Sequence, residues 1–201
     1  ISIQKGHERA LKTGASLIDA LQLVNQFRSS NKKTPIVFMG YMNTFESLGA
    51  QAFMAKAVSA GVDGILIVDM PPEESSNFSD HAIKNNIDII RLIAPTTSLD
   101  RAKKISSQSS GYIYYISVKG ITGASNIDAD DVKNKVEVLQ TFTDLPIAIG
   151  FGIKDAISAS SVKDIADGIV AGSVFVDLIG EGNDVLNMVA KKTKELKEVL
   201  G

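Results

Sequence analysis

The chain has 201 residues, enough for one domain with a sizeable core, but short of the roughly 250 typical of a complete eightfold α/β barrel. Lys and Arg number 21 against 23 Asp and Glu, a net charge of −2, so the sequence carries no electrostatic footprint for nucleic acid or an anionic membrane. There is no Cys for a disulfide or a thiolate nucleophile, and no apolar run approaches the length of a membrane span, which fits a cytoplasmic protein with small-molecule or protein partners.

Residues 3 to 12 read as a short amphipathic helix ending near Gly14, and Ser16 to Ser29 as a second, with Leu17, Ile18, Leu21, Val24 and Phe27 on one face. The chain has no initiating Met and enters a helical pattern almost at once, so we expect further residues upstream. Strands and helices then alternate. Pro35 to Tyr41 reads as a strand and Thr44 to Ala60 as a helix with Leu48, Phe53 and Met54 turned to the core. Gly64 to Asp69 is the next strand, followed by a helix from Pro72 to Asn85 opened by Pro-Glu-Glu. Ile87 to Ile93 and Gly111 to Ser117 are strands on either side of a Ser-capped helix, Ser98 to Ser107. A long connection runs to about Asp128, ahead of a helix from Asp130 to Phe142, and an amphipathic helix from Asp184 to Leu200 closes the order.

Between those last two helices lies the most informative stretch, Pro146 to Gly180. The strand Pro146 to Ile149 stops at Gly150, Phe151 and Gly152, where backbone can approach a ligand closely. The strand Gly168 to Ala171 stops at Gly172, with Ser173 in an N-cap position before the apolar run Val174 to Ile179. Two successive strand ends offering glycine and amide donors make a phosphate site, which the barrel fold commonly builds after strands seven and eight. Simple tight βα turns are the other reading of these glycines.

One βα unit every 20 to 35 residues or so argues a parallel sheet with right-handed crossovers. A doubly wound open sheet is the alternative, although the Gly-rich turn after the first strand that usually marks it is absent. We therefore expect one domain over residues 1–201, a (βα)8 barrel with its strands three to eight represented, and chemistry at the carboxyl ends of the strands. Tyr41, Asn43 and Asp69 occupy such ends, Asp69 as an acid or base or as a cap, while Glu73 and Glu74 read as complements of a helix dipole. Alternation turns Tyr112 and Tyr114 to the barrel interior and Tyr115 to the helices. The loop after them, with Gly120 and Gly123, suits a lid. His7 and His81 lack metal-ligand spacing, and no metal site or Ser-His-Asp arrangement emerges.

The motifs MGYMN (39–43), ILIVDMPPEES (65–75), GYIYYISVKGITGA (111–124), IGFGI (149–153) and AGS (171–173), with IQKGHERALKTG (3–14), resemble the tryptophan synthase alpha subunit in order and spacing along essentially the whole chain. That resemblance implies an eightfold barrel lyase that cleaves indole-3-glycerol phosphate to indole and glyceraldehyde 3-phosphate in tryptophan biosynthesis, working as a heterotetramer with a beta subunit. It implies no cofactor in this subunit, pyridoxal phosphate belonging to the beta partner. It implies phosphate binding by Gly123, Gly152, Gly172 and Ser173, an indole pocket lined by Tyr41, Tyr114 and Phe151, and Thr122 on the closing lid. Asn43, Asp69, Met70 and Pro71 would face the beta subunit. Val118 stands where the family often has Arg. The two catalytic carboxylates of the family, a Glu and an Asp, find no match here and are expected upstream of Ile1, which would leave the chain as given inactive. Other readings are a phosphosugar isomerase or aldolase on the same kind of barrel, or a non-catalytic module that binds the beta subunit.

Overall fold

The computed structural model describes residues 1–117, 129–150 and 152–201. Six parallel strands form one sheet in sequence order: β1 (Val37–Gly40), β2 (Gly64–Ile67), β3 (Asp88–Ile93), β4 (Ile113–Ile116), β5 (Ile147–Gly150) and β6 (Gly168–Val170). Sequential order with helical crossovers is what repeated right-handed βα units produce, and the sheet curls into an open barrel with β1 and β6 at its edges.

The helices follow the expected alternation. They are α1 (Ser2–Lys12), α2 (Leu17–Arg28), α3 (Met42–Glu46), α4 (Ala50–Ala60), α5 (Ser76–Lys84), α6 (Leu99–Ser107), α7 (Ala129–Gln140), α8 (Ala156–Ser160), α9 (Ser173–Glu181) and α10 (Val185–Leu200). Ser16 starts α2 with a capping box: its hydroxyl accepts from Asp19 N–H at 3.3 Å, and the Asp19 carboxylate accepts from Ser16 N–H at 2.8 Å. Of the face expected on α2, Leu21 and Val24 are buried, whereas Ile18 and Phe27 stay 37 % and 40 % exposed.

Three elements differ from the sequence reading. The helix expected over Thr44 to Ala60 is two helices, α3 and α4, parted at Gly49, whose φ of +74° leaves the helical region. The break lets Phe45 turn inward against Phe53 and Phe78. The segment opened by Pro72 begins as a 3₁₀ turn, Pro72–Glu74, and becomes α-helical at Ser76. At the last unit the N-cap is Gly172, and Ser173 is the first helical residue of α9.

β2 is buried along its whole length, while the edge strands β1 and β6 are only partly covered; Met39 on β1 is 57 % exposed. Two apolar clusters sit between sheet and helices. One gathers Phe45, Phe53, Met54, Ile65, Phe78 and Ile89 around β1 to β3, and the other gathers Ile93, Ile113, Tyr115, Val136, Ile147 and Ile149 around β3 to β5. At the amino ends of the strands, aspartates tie neighbours together: Asp63 accepts from Ile36 N–H at 2.6 Å and from Arg28, and Asp167 accepts from Ile147 N–H at 2.8 Å. This is the end of a barrel that serves stability.

The first two helices bridge the two sides of the sheet. α2 packs on α4, which follows β1, while α1 packs on α9, which follows β6. Arg9 Nη2 donates to Val176 O at 2.8 Å and Ser2 Oγ donates to Asp177 at 2.8 Å. Among the described residues no helix is long and apolar enough to cross a membrane.

Candidate active site

The carboxyl ends of β4, β5 and β6 lie side by side, joined by Ser117 N–H donating to Gly150 O at 3.0 Å and by the register that sets Gly150 opposite Val170. On β4 the alternation is as the sequence predicts. Ile113 and Tyr115 are buried in the cluster with α6 and α7, and Tyr112 and Tyr114 fall on the other face, partly covered. Burial pushes the Tyr114 hydroxyl above its usual pKa, with Tyr112 adding to the effect, and burial alone does the same for Tyr112. Tyr115 is pushed up to about 12 by burial and, secondarily, by Asp131; its buried hydroxyl has no hydrogen-bond partner among the described residues.

Gly150 explains how Tyr114 reaches across this floor. A Cβ at Gly150 would come within 2.0 to 2.3 Å of the Tyr114 ring and hydroxyl, so the ring lies directly against the end of β5. Two residues on, Gly152 is exposed with φ of +80°, and nothing stands within 4 Å of where its Cβ would be. Gly172 ends the next unit in the same open way, its nearest neighbour being Ile3 Cδ1 at 4.0 Å. α9 then starts at Ser173 with no side-chain cap, so its first N–H groups and the positive end of its dipole are open to an anion. Gly152, Gly172 and Ser173 are thus on adjacent strand ends with Tyr114 beside them. Thr122, Gly123 and Phe151, together with Gly120 and Val118, lie outside the described residues.

Tyr41, at the end of β1, is 50 % exposed and precedes α3, on which Asn43 is also exposed. Asp69 turns out to be a tie between units: its Oδ1 accepts from Met42 N–H at 2.7 Å, which joins the Asp69-Met70-Pro71 loop to the start of α3. The four residues Asn43, Asp69, Met70 and Pro71 therefore belong to one stretch of surface.

Glu73 does more than complement a dipole. Its Oε1 accepts from Lys104 Nζ at 2.6 Å and from Arg101 Nη1, both on α6. Those two cations, Lys104 first, hold the Glu73 carboxyl down at about 2. A group with a depressed folded-state pKa contributes stability above its unfolded value, and that contribution is lost as the pH falls from about 4.5 towards 2. Glu73→Gln is accordingly expected to be less stable than the parent near neutral pH at low salt, with the two curves converging near pH 2. Urea unfolding across that range checks it, and since the cluster is exposed the difference is expected to shrink in high salt.

Sequence reasoning missed one residue, Arg91. It lies within the apolar run of β3, yet it is only 6 % exposed and is held by Gln108 O, Ser75 Oγ and Ser79 Oγ at 3.0, 2.6 and 3.3 Å. A charge between four apolar neighbours in IIRLI was the available signal.

Comparison with known proteins follows the same lines. The family model described as tryptophan synthase alpha chain matches residues 2–200. The tryptophan synthase alpha chain of Marinobacter nauticus is 47 % identical over 177 residues, covering 88 % of this chain and 66 % of that protein. That of Paraburkholderia phymatum is 45 % identical over 197 residues, covering 98 % and 72 %. This chain thus spans about two-thirds to three-quarters of the length of these relatives. Among solved structures, tryptophan synthase subunit alpha from Legionella pneumophila superposes with a TM-score of 0.90 at 32 % identity, covering 99 % of this chain and 75 % of that one. A Pyrococcus furiosus chain, from a structure of the tryptophan synthase a2b2 complex, superposes at 0.88 with 35 % identity, covering 98 % and 80 %. With six parallel strands in this order and a match along nearly its whole length, the chain belongs to the tryptophan synthase alpha chain family.

Proposed function

We propose that this chain works in the retro-aldol cleavage of indole-3-glycerol phosphate to indole and glyceraldehyde 3-phosphate, a carbon–carbon lyase step of tryptophan biosynthesis. The observation that carries the reading is the pair of open glycine ends on β5 and β6 beside the Tyr114 ring. Gly152, Gly172 and Ser173 take the phosphate through backbone N–H groups and the α9 dipole, and the family resemblance assigns Gly123 the same role. Tyr114 and Tyr41 line the indole pocket in this reading, and the family resemblance assigns Phe151 the same role and Thr122 to the lid. The contribution of these residues is binding and orientation.

The partner in this reading is a beta subunit carrying pyridoxal phosphate, in an a2b2 assembly such as that of the Pyrococcus furiosus protein. The bond from Met42 N–H to Asp69 supports one docking edge made of Asn43, Asp69, Met70 and Pro71.

Gly172→Asp tests the phosphate site with little steric change, because φ there is −121° and the space around a Cβ is open. A carboxylate facing a phosphate is expected to weaken binding of indole-3-glycerol phosphate by about tenfold or more, measured by calorimetry. Equal affinity for a phosphosugar lacking the ring, or an unchanged affinity in the variant, would overturn the proposal.

A further inference from the structure

We propose that a cavity between the end of β2, strand β3 and helix α6 binds a small organic anion with an apolar body and a single carboxylate or similar head. It encloses about 290 Å³, close to the lower end of the roughly 300–1,000 Å³ usual for small-ligand pockets. Polar and apolar surface share its wall about equally: Val68, Met70, Pro71, Leu92 and Ile105 supply an apolar part, and two arginines, Arg91 and Arg101, line it with them. It lies against β2 and β3, whereas the candidate phosphate site is at β5 and β6.

Arg91 makes the cavity more than a crevice. It is more than nine-tenths buried, and each of its hydrogen-bond acceptors, Gln108 O, Ser75 Oγ and Ser79 Oγ, is neutral. Among the described residues no carboxylate lies within ion-pair distance of its guanidinium, and its hydrogen bonds run from Nε and Nη2. A buried guanidinium without a counter-ion is costly, and this one feels it: desolvation lowers its pKa, with the more distant charge of Glu73 opposing. The second cation, Arg101, is fixed at the cavity wall by Glu73, which also engages Lys104. Asp69 is the carboxylate in the lining, and its Oδ1 is engaged by Met42 N–H. Counting Arg91, Arg101 and Lys104 against Glu73 and Asp69, the neighbourhood stays positive. A planar carboxylate suits the guanidinium of Arg91, which has no counter-ion among the described residues, and the apolar part of the wall suits an aromatic or aliphatic body beside it.

The probes are benzoate, inorganic phosphate and benzyl alcohol, titrated into the chain labelled with nitrogen-15 while the Arg side-chain Nε–H and the backbone amides of Val68 and Met70 are followed by NMR. Benzoate is expected to shift these signals saturably, and more tightly than phosphate, while benzyl alcohol leaves them in place. Arg91→Met is expected to weaken benzoate about tenfold or more. Arg101→Ala, at a half-exposed position that leaves the core intact, is expected to weaken it about threefold and keeps the test valid should the Arg91 variant fail to fold. Absence of a shift with benzoate, equal affinity in the parent and the Arg101 variant, or phosphate binding as tightly as benzoate would overturn the proposal. The readout is local to β2, β3 and α6, so failure of the indole-3-glycerol phosphate reading leaves it untouched.

Discussion

Phe53→Ala is expected to cost about 3–5 kcal/mol of folding stability, the range for deleting a fully buried aromatic side chain. Phe53 is 0 % exposed and stands between two other rings, its centroid 4.9 Å from that of Phe45 and 5.9 Å from that of Phe78. The three rings come from α4, α3 and α5, so one side chain links three helices over the first half of the sheet. Neighbours could close the void only by moving whole helices, which places the cost in the upper part of the range. Because the apolar interior is divided between a β1–β3 cluster and a β3–β5 cluster, the loss should be felt unevenly. Hydrogen exchange is expected to speed up first in α3, α4 and α5, with α7 and β5 keeping their protection until global unfolding. Urea denaturation gives the total. A loss under 1 kcal/mol, or an equal loss of protection in both halves, would contradict this division of the core. Phe53→Leu, which keeps most of the volume, is expected to cost far less.

The alternation of strands and helices could be read from the sequence because each strand is a short apolar run bounded by turn residues and each helix has a 3.6-residue stripe. What escaped was set by partners far along the chain. Thr44 to Ala60 reads as one helix because a single glycine is a weak breaker, costing about 1 kcal/mol in a helix interior. Gly49 breaks it here because Phe45 gains a place against Phe53 and Phe78, the latter 33 residues away in α5. Glu73 was legible as a first-turn glutamate but not as the partner of Arg101 and Lys104, which arrive from the next βα unit. Arg91 is the extreme case, since its acceptors lie 16, 12 and 17 residues away and nothing local announces them. Ser173 shows a limit of another kind. Gly172 takes the cap position and Ser173 begins the helix, a shift of one residue that local composition does not fix. At the candidate active site, the glycine ends and the Tyr112–Tyr114 face were legible from spacing alone, whereas the close contact of Tyr114 with Gly150 required the strand register that sets Ile116 opposite Gly150.

That contact gives the other large expected effect. Gly150→Val is expected to lower stability by about 1–3 kcal/mol through overpacking and, more importantly, to drive the Tyr114 ring off the end of β5. Tyr114 cannot give way by a small adjustment, because the new Cβ would stand 2.0 to 2.3 Å from the ring and its hydroxyl together. Loss of an aromatic wall removes on the order of 1.5–3 kcal/mol of apolar burial, or roughly 10- to 150-fold in affinity for indole-3-glycerol phosphate. The displaced ring also reports itself by titration. In the parent, burial raises the Tyr114 pKa, so its contribution to stability is present below the ordinary value of 10 and is lost as the pH rises past it. In the variant Tyr114 should titrate close to 10, and stability should fall less steeply with rising alkaline pH. Ultraviolet titration against a Tyr114→Phe control isolates this tyrosine from Tyr41, Tyr112 and Tyr115. Tyr114→Phe itself keeps the ring and is expected to keep most of the affinity. Should Gly150→Val leave both the titration and the affinity unchanged, Tyr114 is not the wall of the indole pocket. If both move together, the glycine at the end of β5 is there to seat the tyrosine, and Gly152, proposed above to take the phosphate, follows on the same strand end.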